Sequence, residues 1–299
     1  YGTLNQSVSG NVYNCTGTAN TWAGCDAFKS VASGATHNTG YGYNAACSLT
    51  TGDKNTVIGH EASSANIGGE LNTVVGYNAH LYITGTSNNT LIGANAGRGQ
   101  SGEAGGHDNV VVGKGAFYNW TTGAQNILLG KDAGYKIRSG TGNVVLGYQS
   151  HSQNWADGNY NTAVGYQAQS HMNGGANNIS IGYQAGNNIT TGDHNVVIGA
   201  ADVASATGDS QLSISDGDGG VWWITGDSNG GIASRAQVVA VTGTTQLTAA
   251  QSGSYVYVTS SGAVELPDDA TTGLQYTIFN NKGSDLTPTL GDNNSMASS

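Results

Sequence analysis

Seven histidines, three cysteines and nineteen acidic residues are the groups in this 299-residue chain that could do acid–base, nucleophilic or metal chemistry. His37, His60, His80, His107, His151, His171 and His194 never fall at i, i+4, and no HExxH occurs. Cys15, Cys25 and Cys47 fit neither CxxC nor a zinc-ligand spacing and read as small buried residues. No metal and no cofactor is expected. GxxxxGK[ST] is missing from the sequence, GxSxG occurs once as the turn-like GDSNG of residues 226–230, and G-x-G steps carry no information among 48 glycines. Hydrolysis of a polysaccharide needs two carboxylates about 5–10 Å apart. Glu61, Glu70 and Glu103 have no acidic partner at a recurring spacing, so the reading is non-enzymatic, with a depolymerase as the minor alternative.

Recognition chemistry is better represented. Tyr43, Tyr77, Tyr148, Tyr166 and Tyr183 all follow a glycine of the same motif. They either cover a flank of the molecule, the preferred reading, or offer stacked faces to sugars. Tyr118, Trp120 and Trp155 lie in variable segments and are the stronger surface-contact candidates. Most histidines lie in those segments too, and solvent exposure is their default reading.

A repeat positions all of these residues. Asparagine followed four residues later by glycine recurs eleven times in a near-constant register. The asparagines are Asn20, Asn38, Asn55, Asn72, Asn89, Asn109, Asn126, Asn143, Asn161, Asn178 and Asn195. The glycines that answer them are Gly24, Gly42, Gly59, Gly76, Gly93, Gly113, Gly130, Gly147, Gly165, Gly182 and Gly199. The spacing is 17 or 18 residues except for one interval of 20. Three residues after the glycine comes alanine in nine copies, Ser150 in one and Asp202 in the last. A period near 17 is too short for helix-pair repeats. Thr, Val and Ile between Asn and Gly favour strand, and the glycines read as corners. One coil of a β-solenoid per repeat follows, with coils about 4.8 Å apart and a length on the order of 50 Å. The asparagines are expected to stack as amides between coils or to bond turn backbone, an axial ion row being the lesser alternative.

The third residue after each Asn forms the row Ile58, Val75, Ile92, Val112, Leu129, Leu146, Val164, Ile181 and Ile198. The residue before it points to the opposite face and includes Val57, Val74, Leu91, Val111, Leu128, Val145 and Val197. A solenoid has one inside, so one apolar row would face water along its whole length. The chain is therefore expected to associate with copies of itself, and the Val57 row is assigned to that contact.

Composition sets the outer limits. Nine basic against nineteen acidic residues give a net charge of −10, which argues against a nucleic-acid partner. No apolar run approaches the roughly 18 residues of a membrane span. Residues 208–235 read as capping strands. Trp222 and Trp223 suit a junction buried between chains, and Asp216 and Asp218 suit a tight turn more than a calcium loop. Residues 236–291 hold QVVAVT, SYVYVTS, AVELP and QYTIFNN at strand-and-turn spacing, predicting a small β-sandwich-like module, with 292–299 as a mobile tail. Residues 1–19 are an N-terminal segment and 20–207 the solenoid.

The unit N-[ST]-[VIA]-[VIA]-G-x-x-[AS], as in NTVIGHEA, NTVVGYNA, NTAVGYQA and NISIGYQA, resembles the head repeat of YadA-like trimeric autotransporter adhesins. Similar units occur in bacteriophage tail fibres, and VWWITGDSNGGI resembles a motif near the distal part of such fibres. The resemblance covers about residues 20–207. It implies a homotrimeric left-handed β-roll in a phage tail fibre or extracellular appendage. Neighbouring fibre proteins and a host-surface glycan or protein receptor are the implied partners. The modal unit is longer than the commonest adhesin-head unit. No coiled-coil stalk or membrane anchor follows the repeats, which fits a fibre better than a whole autotransporter; a surface adhesin or filament subunit is the alternative.

Overall fold

The computed structural model describes residues 12–14, 19–32, 34–102, 104–153, 157–218 and 221–234, and beyond these 238–241, 244–247, 255–258, 263–265 and 277–280. Most of the N-terminal segment 1–19 and the tail 292–299 lie outside the described residues. The chain divides into two compact units, Tyr1–Ala233 and Ser234–Ser299. Among the described residues there is no helix.

The first unit is a parallel β-solenoid of about eleven coils. Its strands are β2 (Thr21–Ala23), β3 (Thr39–Tyr41), β4 (Thr56–Ile58), β5 (Thr73–Val75), β6 (Thr90–Ile92), β7 (Val110–Val112), β8 (Ile127–Leu129), β9 (Val144–Leu146), β10 (Thr162–Val164), β11 (Ile179–Ile181) and β12 (Val196–Ile198). Each is the three-residue stretch between the repeat Asn and Gly, and each pairs in register with the next coil, as Thr56↔Thr73 and Val57↔Val74. The turns stack as well: Ser63 N donates to Ala79 O at 2.8 Å and His80 N to Ala96 O at 3.0 Å.

The asparagines make the amide ladder that their recurrence predicts. The backbone and side-chain nitrogens of Asn126 donate to Asn109 Oδ1 at 3.0 Å, and Nδ2 also donates to Gly140 O at 2.8 Å. Asn143 repeats the pattern one coil on, onto Asn126 Oδ1 and Gly158 O. A carbonyl that accepts two N–H groups has both lone pairs engaged, which leaves no room for the axial ion row.

The corner reading of the glycines holds in every coil. Gly24, Gly42, Gly59, Gly76, Gly93, Gly113, Gly130, Gly147, Gly165, Gly182 and Gly199 each follow a strand directly, with φ between +97° and +144°. From Gly24 to Gly182, a Cβ added at one corner would overlap the carbonyl of the next corner glycine. At Gly199 it would meet the carbonyl of Ser215. Backbone therefore stacks on backbone where no side chain fits.

The Asn side chain points inward and is buried, and alternation along an extended strand then fixes the rest. Val57, Val74, Leu91, Val111, Leu128, Val145 and Val197 lie two residues after an inward Asn and are themselves inside, at most 1% exposed. Their assignment to contact between chains is corrected: they fill the coil beneath the small-residue row of Ala62, Ala79, Ala96, Ala116 and Ala133. The outward rows are the first and third strand residues.

Both ends of the solenoid sheet change direction. β1 (Val12–Asn14) lies antiparallel on β2. β13 (Leu212–Ser215) continues the parallel stack as a further rung, and Gln211 extends the ladder by donating to Asn195 Oδ1 at 3.1 Å. β14 (Trp222–Gly226) then pairs antiparallel with β13, and β15 (Ile232–Ser234) lies beside β14. Trp222 and Trp223 are both exposed on the isolated chain. The acidic turns are held by their own carboxylates, Asp216 Oδ2 accepting Val221 N and Asp227 Oδ1 accepting Asn229 N and Gly231 N. That is the tight-turn reading.

The second unit holds two small sheets. Its strands are β16 (Val238–Val241), β17 (Thr244–Gln246), β18 (Tyr255–Val258), β19 (Ala263–Glu265) and β20 (Thr277–Asn280). Sheets β16-β18-β20 and β17-β19 alternate along the chain, and every pairing is parallel. Parallel neighbours are not joined by a two-residue hairpin. Leu247, Val256 and Val264 are buried in it.

The ladder carries a measurable share of stability. Asn126→Ala removes the side chain's bonds to Asn109 and Gly140 and takes from both Asn143 nitrogens their shared acceptor, a cost of about 3 kcal/mol. Urea unfolding of the two proteins should show that loss, and a change below about 0.5 kcal/mol contradicts the role given to the ladder.

Candidate functional site

The first surface of interest is the outward face of the strands. Ile58, Ile92, Val110, Val112, Ile127, Leu129, Ile179, Ile181 and Ile198 are exposed on the isolated chain, Ile127 at 41% and Leu129 at 38%. Thr56, Thr73, Thr90, Val144 and Thr162 continue the same face. From Tyr41 in β3 to Ile214 in β13 these residues form a stripe roughly 50 Å long at the inter-strand spacing. Isolated monomers seldom leave so long an apolar surface wet.

Beside the stripe, one residue past the corner glycine, runs a broken aromatic column. His60 stacks between Tyr43 at 5.1 Å and Tyr77 at 5.4 Å, and Tyr166 lies between Tyr148 at 5.6 Å and Tyr183 at 5.3 Å. Ala94, Lys114 and Lys131 interrupt it, with the Lys131 ammonium 4.9 Å over the Tyr148 ring. Within each group the rings lie against one another, and Tyr43, Tyr77 and Tyr183 stay exposed. The column runs along a flank of the solenoid, and Tyr77 and Tyr183 end their stacks beside Ala94 and Ala200.

A second column on the connector side is different. The Arg98 guanidinium sits 4.5 Å over Tyr82 and 5.0 Å over Tyr118, and Tyr118 stacks on Tyr135 at 4.7 Å with planes 12° apart. The coil after Tyr135 brings Ser152 to the equivalent place, which is too small to cover another ring. A cleft of about 480 Å³ opens there, lined by Asp132, Tyr135, Lys136, Gln149, Ser152 and Gln153. Lys136 Nζ donates to Gln153 O at 2.6 Å, and Asp132 pairs with Lys131 at 3.7 Å. Gln149 Oε1 accepts from Gln167 Nε2 at 3.1 Å, which leaves the Gln149 amide nitrogen to donate. Burial, with Tyr118 and Asp132 nearby, pushes the Tyr135 phenol pKa up, Arg98 opposing, so the ring meets a ligand neutral. An aromatic ring among mixed donors and acceptors suits polyhydroxylated ligands.

The connector candidates divide. Tyr118 belongs to this column as the support of Tyr135. Trp120 is no surface residue: it is fully buried, donates from Nε1 to Gly123 O at 2.8 Å, and stacks on Phe117 at 5.3 Å. The longest coil makes room for it, because Gly97 and Gly105 lie against the indole where side chains would collide. Trp155 and Glu103 lie outside the described residues, as does Cys15. Cys25 is exposed and Cys47 half-buried, so the buried-cysteine reading is corrected for Cys25. Glu61 and Glu70 gain no carboxylate partner. Two carboxylates do share one small recess of about 140 Å³, where Asp202 and Asp218 line a wall with Tyr183 and Gln184. Among the described residues no group of three His, Cys, Asp or Glu side chains could hold a metal ion.

Two histidines were expected in solvent and are not. His80 and His151 lie in the coil interior at the position four after the corner glycine. His80 is held between the hydroxyls of Ser63 at 2.9 Å and Thr86 at 2.8 Å and packs on Trp120. Neither ring nitrogen of His151 has a hydrogen-bond partner among the described residues.

Comparison with protein families, curated proteins and solved structures finds no match to this chain.

Burial lowers the pKa of His80 to about 3 and of His151 to about 4. Unfolding restores both toward 6.5, so the unfolded chain takes up protons that the folded chain refuses. Stability is intact above pH 6.5 and falls as pH drops toward 4, by roughly 2 kcal/mol per histidine between about pH 7 and pH 5. Denaturant unfolding across that range should show the slope, and His151→Leu should remove about half of it without loss near pH 7. A flat profile for the parent chain contradicts the assignment.

Proposed function

We propose that this chain is a structural, non-enzymatic subunit of a rigid fibre, three copies packing through their outward strand faces, in a phage tail fibre or related extracellular appendage. The observation that carries the reading is the outward apolar row at the third strand residue, from Ile58 through Leu129 to Ile198, widened by Val110, Ile127, Val144, Ile179 and Val196 at the first. Most strands are apolar on both sides, and one chain has only one interior to fill. The number three comes from the resemblance of the repeat to trimeric adhesin heads, and cyclic symmetry would bring equivalent stripes together around one axis.

Display follows from this geometry. A stack of coils joined rung to rung resists bending and holds the Tyr135 cleft at a set distance along its flank. A trimer carries three such clefts, so weak single contacts with a surface glycan or protein receptor add through multivalency. The antiparallel strands at both ends of the solenoid sheet interrupt continuation of the parallel stack, which favours discrete fibres over filaments that grow by adding coils.

Native mass measurement should give about three times the 30.3 kDa chain. Leu129→Asp combined with Ile181→Asp should break that assembly at micromolar concentration while leaving the interior row untouched. A stable, soluble single chain with its stripe in water overturns the proposal. An open series of masses shifts it to the filament alternative, and shortening of a host polysaccharide that Asp218→Asn abolishes shifts it to a depolymerase.

A further inference from the structure

The outward strand face is bordered by two columns of side chains, and the two borders match one another coil by coil. One border is the residue before the repeat Asn; the other is the pair after the corner glycine. In the coil of Asn55 they hold Lys54 and Glu61, and in the coil of Asn109 they hold Asp108 and Lys114. Leu71 stands level with Tyr77, both half exposed, and the exposed Tyr160 stands level with Tyr166. Gly142, with no side chain, stands level with Tyr148. In no coil do the two borders set like charges level. Asp53, one residue further back than Lys54, is held by its own chain, accepting Thr36 N at 2.6 Å and Thr36 Oγ1 at 3.1 Å.

Within one chain the matched residues do not meet. Asp108 and Lys114 lie at opposite ends of β7, a span on the order of 15–20 Å. Asp108 pairs with His107 at 2.7 Å and stays half exposed, Glu61 lies 4.0 Å from His60, and Lys54 and Lys114 are exposed. Cyclic symmetry about an axis along the solenoid sets the end of each strand against the start of the neighbouring copy's strand, at the same height. Both charged pairs then close between copies. Other arrangements lose them. A slip of one coil puts Glu61 opposite Leu71 or His37, and Lys114 opposite Gln125 or Asn88. An inverted copy sets the glycine-side border against itself, and with the central coils matched Lys114 meets Lys114.

We infer that these borders form a seam between parallel copies in matching coil register, Lys54 pairing with Glu61 and Asp108 with Lys114 of the neighbouring copy. This rests on the fibre reading and names how its copies meet. The apolar stripe supplies contact area, but it is similar in every coil and fits nearly as well after a slip. The borders differ from coil to coil, so they choose one register among those the stripe allows.

The test uses the full chain with thiol pairs and charge swaps. Asp108→Cys with Lys114→Cys, treated with a short bismaleimide, should give covalently linked chains on denaturing gels. The parent chain sets the background from Cys15, Cys25 and Cys47. The offset pair Asp108→Cys with Tyr148→Cys, two coils apart, should stay at that background. Asp108→Lys should raise the concentration of half-dissociation roughly tenfold, and adding Lys114→Asp should bring it back to within about threefold of the parent. Added salt should shrink the difference. Lys54→Glu with Glu61→Lys repeats the swap in another coil, and circular dichroism reports whether each variant is folded. An assembly in which the offset pair links as well as the level pair, in which Lys114→Cys alone links above background, or in which neither swap restores association overturns the inference. So does an assembly without the level crosslink, and in each of these cases the fibre reading stands. A chain that stays single by native mass sinks the fibre reading itself.

Discussion

Everything in the solenoid depends on the stacking of like on like. An Asn carbonyl in one coil accepts the backbone and side-chain N–H groups of the Asn above it, as Asn109 does for Asn126. A corner glycine such as Gly59 lies so close to Gly76 that a methyl group on it would enter its neighbour's backbone. These contacts exist only if the coil length is nearly constant, so the period is a physical requirement before it is a sequence pattern. They also repay local strain. In the coil containing Asn72, three non-glycine residues, Leu71, Asn78 and His80, sit at φ between 52° and 59°, a conformation that costs roughly 1 kcal/mol each. The stacked backbone bonds around them offset that cost in every coil at once.

Much of this was legible in residue types. Eleven Asn–Gly pairs specify coils, strands and corners, because only glycine tolerates the corner and only a short polar amide can bond both its own turn and the next coil. The parity of the strand was legible too but is easy to misread. Val57 and Ile58 look equivalent as apolar residues, and hydrophobicity does not say which is inside. The buried Asn55 decides it, since the residue two further on shares its face. Likewise Gln211 and Ser215 form a further rung with Gln for Asn and Ser for Gly, a substitution that keeps the amide and ends the run of corners. The polar residue two after most corner glycines, as in Asn44, Asn78, Asp132 and Gln149, was a readable sign of left-handed backbone.

Other features were not legible, for identifiable reasons. Trp120, His80 and His151 sit in connectors whose sequences vary, and a variable segment can either bulge outward or fold into the coil. The interior volume of a long coil decides between those outcomes, and that volume depends on glycines such as Gly97 and Gly105 that lie far from the tryptophan in sequence. The Tyr135 cleft is hidden in the same way. It arises from a sequence of steric sizes down one column, Arg98, Tyr118, Tyr135 and then Ser152, which becomes visible only once coils are in register. The parallel pairing of the second unit is similar: short alternating strands look alike whether they turn back or travel around.

The arrangement separates two kinds of surface by the positions that carry them. The outward strand face carries mostly apolar residues at its third position and Thr, Val or Ile at its first, so it is similar from coil to coil and suits contact with an identical surface. Connector positions are tied coil to coil by backbone bonds such as Thr50 N to Ile67 O, and their outward side chains can change charge and size from coil to coil without breaking the Asn ladder. The Tyr135 cleft lies on residues outside the strands, where a coil can be altered singly. A solenoid of this kind can therefore keep its means of assembly fixed while its recognition chemistry drifts.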